Sequence, residues 1–249
     1  MKNIFIITSL LLIPAFLFSE GQKKDENKEN PAQIETNING KGYSITIQFE
    51  AGEADNHPSM ALWVEDLHGN FIQPLFVTKS FATGTYRYVK QAGDHWEPGT
   101  KLYKASLPYF IHKWTNSKNS RGFKIPSPQH PVPDAYTSAT ALNDFILHTK
   151  TDNKGKDKLR LVMEINQAWD FNDYWHNAKF PENKEYKASC QPSIIYAVTI
   201  DTNAPMEYYV MNPIGHGHYA GENGKLYTDL STLTTAKNIA KKIEIRIEP

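Results

Sequence analysis

The sequence predicts a mainly β protein: an antiparallel β-sandwich of the immunoglobulin or fibronectin-III kind, with long loops and at most short helices. Seven or eight short segments are rich in β-branched and aromatic residues, and turn-forming residues separate them. Few segments show a helical period. Together these observations favour two packed β-sheets over a helical or mixed fold.

The first 40 residues are expected to lie outside this sandwich. Lys2 is followed by an apolar run over residues 4–18 and then by small and polar residues, an order typical of a secretory signal peptide. We place this peptide at residues 1–19, which predicts a periplasmic or secreted protein. The run is shorter than the roughly 20 residues that span a bilayer, so no transmembrane segment is expected after cleavage. Residues 20–40 are rich in Lys, Glu, Asn and Gln, which predicts a disordered linker before a single domain at residues 41–249.

The first half of this domain contains three predicted strands. Residues 43–49 (YSITIQF) alternate apolar and polar side chains. Residues 60–65 and 71–78 flank the turn sequence DLHGN and therefore predict a β-hairpin, with Pro74 at an edge or a bulge. Residues 79–133 show no regular pattern, apart from a short helix within residues 102–114 that Pro108 would interrupt.

The second half contains the remaining predicted strands. Residues 142–149 are expected to form a second hairpin with the strand that ends at Ile165, through the charged turn at residues 152–158. Residues 193–200 (SIIYAVTI) give the strongest strand pattern, and residues 207–211 and 243–247 give two more. One helical turn is expected within residues 234–242.

Residues 159–176 join a core strand to an unusual loop. The strand places Leu161, Met163 and Ile165 on one face and Val162 and Glu164 on the other. The loop that follows mixes large aromatic rings with short polar side chains. Two alternatives are open for its rings: they pack the loop onto the sandwich, or Trp169 and Trp175 form a flat platform for a sugar or a peptide.

The polar residues of this loop also have two interpretations. The oxygens of Asp170, Asn172 and Asp173 resemble part of a calcium loop in their spacing, but the glycine and glutamate of an EF-hand are missing. The alternative is that these side chains accept hydrogen bonds from backbone amides and so cap an aromatic cluster.

Composition excludes several classes of protein. The chain has 27 basic and 27 acidic residues, so it lacks the basic excess of a nucleic-acid-binding protein. Cys190 is the single cysteine, so the domain has no internal disulfide, and we interpret this residue as a small semi-buried side chain. The sequence contains no GxSxG, GxGxxG or GxxxxGK motif. No catalytic residue is therefore assigned.

His216 and His218 form the clearest metal-like pattern. The two histidines lie two residues apart in the sequence GHGHY, so an extended chain would place them on one face, and the glycines leave room for close approach. Zinc usually takes three or four ligands, and no HExxH motif is present. The alternative is a glycine-rich strand end with partly exposed imidazoles.

Residues 134–140 (DAYTSAT) resemble the DxxTGAT or DxxSGAT signature at which flavin-transferring enzymes attach FMN to exported redox domains. In that signature the last threonine is the acceptor, which corresponds to Thr140. The sequence departs from the signature at Ser138, where the signature has glycine. The alternative is an ordinary polar turn that enters the next strand.

Several stretches in the same order resemble the DUF2271 family of predicted periplasmic proteins of unknown function: ALWVEDLHGNFIQPLFVTK, DAYTSAT, EINQAWDFNDYW, CQPSIIYAVTID and PIGHGHYAGENGKLY. The resemblance covers nearly all of residues 43–247. It implies a small exported β-rich domain, and some family members occur beside flavin-linked membrane reductases. The family has no established activity to transfer.

Three functional hypotheses follow. The first is a non-enzymatic exported module that binds a partner or a small ligand. The second is a redox accessory domain that carries FMN at Thr140 or works beside an envelope flavoprotein or membrane reductase. The third is a metal-binding module that uses His216 and His218 with a further ligand, which is His95, His176 or an acidic side chain. The cofactor is thus left open between none, FMN and a divalent metal.

Overall fold

Two five-stranded β-sheets pack face to face in this protein, which confirms the predicted sandwich. The structure is a computed structural model that describes residues 30–117, 126–132, 143–155 and 157–248. The predicted signal peptide lies outside these residues. In chain order the described strands are β1 (Ala32–Glu35), β2 (Ser44–Ala51), β3 (Ser59–Glu65), β4 (Phe71–Val77), β5 (Thr85–Ala92), β6 (His95–Thr100), β7 (Phe145–Lys150), β8 (Lys158–Asn166), β9 (Ile194–Asp201), β10 (Tyr209–Val210), β11 (Asn212–His216) and β12 (Ala240–Glu248).

The strands divide into two main sheets and a separate hairpin. Sheet A has the order β1-β7-β2-β12-β10, sheet B has the order β11-β9-β8-β3-β4, and β5 and β6 form a two-stranded sheet. The pairings are antiparallel except that of β1 with β7, which is parallel. The short helices are α1 (Lys79–Thr83), α2 (Pro108–Thr115) and α3 (Lys184–Ser189), and a 3₁₀ turn spans Ala236–Asn238.

The main core lies between the two sheets because alternate residues of each strand point inward. Strand β2 contributes Ile45, Ile47 and Phe49, and the rings of Phe49 and Phe145 stack with their centroids 4.8 Å apart. Burying an aliphatic or aromatic side chain of this kind stabilises the fold by about 1.5–3 kcal/mol. Strand β8 places Leu161, Met163 and Ile165 in the same core, as its alternation predicts.

The two sheets differ in what covers their outer faces. Sheet A exposes polar side chains there, including Gln48, His148 and Arg246. Sheet B is buried on both faces, because Trp63 and Val162 on its outer side pack against α1 and α2 in a second hydrophobic cluster. This covered outer face of sheet B carries the candidate site.

The predicted linker at residues 20–40 is wrong at its C-terminal end. Strand β1 lies within it and extends sheet A at one edge. The side chain of Ile34 is buried in the core, and Thr36 Oγ1 donates a hydrogen bond to the carbonyl oxygen of Leu75 at 2.6 Å. One buried isoleucine and a ladder of backbone hydrogen bonds are enough to order a segment whose composition is otherwise polar. The compact unit therefore begins at Pro31.

The two predicted hairpins have opposite outcomes. Strands β3 and β4 form the first one, with β4 at the sheet edge and register shifts near Pro74, as predicted. The second hairpin is wrong, because β7 pairs with β1 and β2 in sheet A while β8 pairs with β3 and β9 in sheet B. The charged turn between β7 and β8 crosses from one sheet to the other, and each strand buries its apolar face against the opposite sheet.

The segment at residues 79–133, which shows no regular pattern in the sequence, contains α1, the β5–β6 hairpin and α2. Pro108 occupies the first turn of α2, where its missing N–H is not needed, so it begins the helix instead of interrupting it. Within the described ranges, no helix is long and apolar enough to cross a membrane.

Candidate functional site

Helix α2 covers the outer face of sheet B and forms one wall of the candidate site. Phe110, Ile111 and Trp114 are buried on its inner side, and the Phe110 ring lies 5.5 Å from that of Trp63, centroid to centroid. The N-cap residue, Leu107, has no side-chain oxygen that could accept a hydrogen bond from the first amides of the helix. Those amides need an acceptor from elsewhere in the chain.

Glu164 of β8 supplies that acceptor. One carboxylate oxygen accepts a hydrogen bond from the Tyr109 amide at 3.1 Å, and the other accepts from the Phe110 amide at 2.6 Å. Ser193 Oγ donates to the same carboxylate at 2.5 Å. The side chain is fully buried, and burial raises the pKa of Glu164 to about 7 from 4.5, although these three hydrogen bonds act in the opposite direction. A strand residue thus caps a helix.

The glycine between the two histidines is explained by this cap. A Cβ atom on Gly217 would lie 2.5 Å from Pro108 Cγ, 2.5 Å from Ser193 Oγ and 3.1 Å from Glu164 Oε1. These contacts are too short for any side chain. Gly217 therefore lets the polypeptide backbone lie close to the Glu164 cap. The glycines of GHGHY were expected to permit a close approach, and this is the one that the structure shows for Gly217.

A second buried carboxylate fixes the other end of α2. Glu65 Oε1 accepts a hydrogen bond from Trp63 Nε1 at 2.9 Å and lies 3.1 Å from Lys113 Nζ. The same ammonium group donates to the carbonyl oxygen of Gly69 at 2.5 Å. Helix α2 is therefore held to sheet B by a carboxylate near each end.

The two predicted metal-ligating histidines have different partners. His216 Nδ1 donates a hydrogen bond to the Gly217 carbonyl oxygen at 2.7 Å, and its ring stacks on that of Tyr227. His218 Nδ1 accepts hydrogen bonds from the amides of Ala220 at 3.1 Å and Glu222 at 3.4 Å. Burial lowers the pKa of both histidines, and for His218 the nearby Glu222 carboxylate opposes this effect.

The structure does not extend this pair into a metal site. Among the described residues, no three His, Cys, Asp or Glu side chains lie close enough together to hold a metal ion. His95, one of the suggested further ligands, lies in β6 with its imidazole 4.0 Å from Glu97. The observed role of His218 is to hold the turn at residues 218–222.

This turn and α2 enclose a groove, which we call the α2 groove, with a volume of about 540 Å³. His112 Nε2 lies 3.2 Å from the Gly221 carbonyl oxygen and so joins the two walls. The base of the groove includes Asn183 and Glu185, and Glu185 Oε2 accepts a hydrogen bond from the Lys104 amide at 2.9 Å. The lining residues are Leu102, Lys104, Ile111, His112, Thr115, Asn116, Asn183, Glu185, Ala220, Gly221 and Glu222.

A second groove lies on the opposite side of α2, and its volume is about 630 Å³. It shares His112 and Asn116 with the α2 groove and is bounded by Phe71 and Ile72 of β4. The outward side of α2 is thus a ridge between two open depressions. Clefts of roughly 300–1,000 Å³ with a few polar groups are the usual form of small-molecule sites.

The aromatic loop after β8 divides into an inner and an outer part. Trp175 is only 7% exposed, contacts the rings of Tyr186 and Tyr219, and donates from Nε1 to Thr232 Oγ1 at 3.1 Å. Its predicted role in a ligand platform is therefore wrong, because the ring belongs to the core. Trp169 is 64% exposed and remains a candidate for the ligand platform.

The two aspartates of this loop do not form a calcium site together. Asp170 is buried, and its Oδ1 accepts a hydrogen bond from Thr235 Oγ1, while Asp173 is exposed. The backbone carbonyl of Asp170 accepts from the Gln191 side chain at 3.3 Å. Asp170 therefore fastens the loop to the turn near residue 235 by accepting from a side-chain hydroxyl. The expected acceptor of backbone amides is Asn172, whose Oδ1 accepts from the amides of Tyr174 and Trp175.

Cys190 and Thr140 are the remaining positions that the sequence singled out. Cys190 is free and buried, and burial raises the pKa of its thiol to about 12, so it is an inert structural residue. Thr140, the predicted flavin acceptor, lies outside the described residues.

Sequence reasoning missed Glu164, Ser193 and His112. One signal for Glu164 was present: it is a carboxylate between Met163 and Ile165 in the middle of an apolar strand. A carboxylate is buried only if it is paired, so this pattern indicates a partner for Glu164 on the outer face of the strand. His112 carried no comparable signal, because its place at the groove depends on how α2 lies across sheet B.

The fold and the groove define the class of this chain, a mainly β sandwich protein with a helix-walled groove on one sheet. No family model, curated protein or solved structure matches the chain. The resemblance to DUF2271 therefore stays a prediction.

Proposed function

We propose that this protein is a non-enzymatic exported binding module of the DUF2271 type, and that it binds a small polar ligand in the α2 groove. The observation that carries the proposal is the groove itself, which has two walls joined by His112 and Gly221. Both walls are fixed from below, one by the Glu164 cap and the other by the His218 turn. A pre-organised cleft of this kind lowers the entropic cost of binding.

The lining indicates a ligand with several hydrogen-bonding groups and some apolar surface. Glu185 and Glu222 provide carboxylates, Asn116 and Asn183 provide amides, and Leu102 and Ile111 provide apolar surface. Small-molecule sites combine apolar walls with a few placed polar groups in this way.

The position of Ser193 and Glu164 supports binding over catalysis. A carboxylate hydrogen-bonded to a hydroxyl resembles part of a nucleophilic site. Both side chains are fully buried beneath α2, however, and the hydroxyl is already committed to the carboxylate that caps the helix. A substrate would have to displace the helix to reach them.

A thermal-shift and NMR screen with a library of polar fragments of fewer than about 20 heavy atoms tests the proposal. Asn116→Trp places a large ring at the groove, while Asn203→Trp places one at an exposed turn residue as the matched control. We expect fragments that raise the melting temperature of the wild type and of Asn203→Trp but not that of Asn116→Trp, with amide shifts at Ile111 and Gly221.

Two results would overturn this function. One is that no fragment shifts an amide of the groove. The other is turnover of any bound compound that disappears in His112→Ala, because that would make the groove a catalytic site.

Export is a separate part of the proposal, based on the sequence of residues 1–19. Expression of the full chain should yield an envelope or secreted protein whose first residue follows the apolar run. A form lacking residues 1–19 should stay in the cytoplasm. Recovery of the uncleaved chain from the cytoplasm would refute export.

A further inference from the structure

The loop after β8 presents three aromatic side chains to solvent within six residues. Trp169 is 64% exposed, Phe171 is 42% exposed and Tyr174 is 51% exposed, although Trp175 beside them is buried. A single exposed hydrophobic side chain is ordinary, but a group of them rimmed by polar residues is typical of an interaction site. Trp169 is the most exposed of the large hydrophobic side chains described in this chain.

The backbone of Trp169 indicates that this exposure is built into the fold. Its φ angle is +60°, in the left-handed region that a bulky side chain rarely adopts. Such a conformation costs about 1–3 kcal/mol and persists only where the surroundings enforce it. Here the Trp169 amide donates to the Ala188 carbonyl oxygen at 3.3 Å, and the Asp170 amide donates to that of Ser189 at 3.2 Å. Strain of this kind concentrates at functional positions.

The loop is also rigid. Asn172 Oδ1 accepts hydrogen bonds from the amides of Tyr174 at 2.9 Å and Trp175 at 2.7 Å. Its Nδ2 donates to Gln191 Oε1 at 2.9 Å and to the Thr232 carbonyl oxygen at 2.8 Å. A ring held in place loses little conformational entropy when a ligand stacks on it.

The surroundings of the rings point to a carbohydrate. Exposed polar side chains alternate with the rings along the loop: Asp173 lies between Phe171 and Tyr174, and His176 and Asn177 follow. A sugar ring offers an apolar C–H face for stacking and hydroxyls for hydrogen bonding to such groups, whereas the centre of a protein interface is depleted of charged residues. We propose that Trp169 is the stacking surface of a carbohydrate-binding site, with polar contacts from the same loop.

This site differs from the α2 groove in its residues, because none of Trp169, Phe171 and Tyr174 lines the groove. A sugar that binds Trp169 and a fragment that shifts the amides of Ile111 and Gly221 are therefore separate results, and either proposal can fail without the other.

Soluble hexasaccharides of glucose and of N-acetylglucosamine in different linkages, together with insoluble cell-wall polysaccharide, are the probes. Isothermal titration calorimetry measures the affinity of each variant for the soluble sugars, and co-sedimentation measures binding to the insoluble polysaccharide. Intrinsic fluorescence of the wild type and of Trp96→Ala is a second readout, since a sugar stacked on Trp169 should shift its emission and protect it from acrylamide. Trp96→Ala is the matched control, because Trp96 is another exposed tryptophan, 43% exposed, in β6.

We expect the wild type and Trp96→Ala to bind at least one of these sugars, and Trp169→Ala to bind it at least about tenfold more weakly. Trp169→Tyr should retain most of the affinity, because it keeps a flat ring. Circular dichroism confirms that each variant is folded. The assignment is overturned if the wild type binds none of the sugars, or if Trp169→Ala binds as well as the wild type.

Discussion

The backbone nitrogen of Phe110 lies 2.6 Å from Glu164 Oε2, although 54 residues separate the two in the chain. The contact joins the first turn of α2 to the centre of β8. Because Leu107 cannot cap the helix, Glu164 does what an Asp or Ser at the N-cap does elsewhere. The wall of the α2 groove therefore depends on one strand residue.

Replacing Glu164 by glutamine should flatten the pH dependence of stability. The pKa of Glu164 is raised in the folded protein, so the folded state binds a proton more tightly than the unfolded chain does. The contribution of this proton to the free energy of unfolding is fully present below pH 4.5, and it is lost as the pH rises through about 7. Urea unfolding at several pH values across this window measures the effect. Glu207→Gln, at an exposed position, should keep the wild-type profile. If Glu164→Gln also keeps the wild-type profile, then Glu164 is not the source of the pH dependence.

Replacing Gly217 by alanine should lower the free energy of unfolding by about 1–3 kcal/mol, because the new methyl group collides with Pro108 and Ser193. Gly155→Ala is the control, since no atom lies within 4 Å of its added Cβ. Chemical denaturation measures both variants. Equal stability of the two would show that the space beside Gly217 is not restricted.

Replacing Trp169 by glycine should stabilise the protein relative to Trp169→Ala by about 1 kcal/mol. Both variants remove the exposed indole, but only glycine adopts a φ angle of +60° without a steric cost. Comparison of their melting temperatures isolates the backbone strain. A less stable glycine variant would argue that the left-handed conformation is not retained.

The Cys190 thiol should not react with a thiol reagent such as Ellman's reagent while the protein is folded. It is buried, and the pKa of its thiol is raised to about 12 by burial, so little thiolate forms at neutral pH. In denaturant the single cysteine should react once per chain. Rapid labelling of the native protein would contradict the buried position.

Period-two patterns predicted most strands because inward and outward residues alternate, and β8 and β9 are examples. The same pattern could not show what lies outside a sheet. It placed Glu164 opposite the core side chains of β8, but only the fold shows that α2 covers this face. The wrong hairpin of β7 with β8 has a related cause, since neighbours in sequence entered different sheets.

The candidate site was less predictable than the fold. The GHGHY motif was predicted to be a metal-like site on account of its two imidazoles. In the structure Gly217 lies against Pro108 and Ser193, two residues that are distant in sequence. Trp169 and Trp175 were both predicted as parts of a ligand platform. In the structure Trp169 is exposed and Trp175 is buried, because the loop turns from solvent into the core between them.

The Glu164 cap also has a consequence for the order in which the protein folds. Helix α2 has eight residues, and an isolated helix shorter than about 12–15 residues is only marginally stable in water. Its first turn is completed only when β8 is paired with β3 and β9 beneath it. The wall of the groove is therefore held in place only where sheet B is assembled beneath α2. A ligand of the groove would bind this assembled state, and by mass action it would stabilise sheet B as well as the helix.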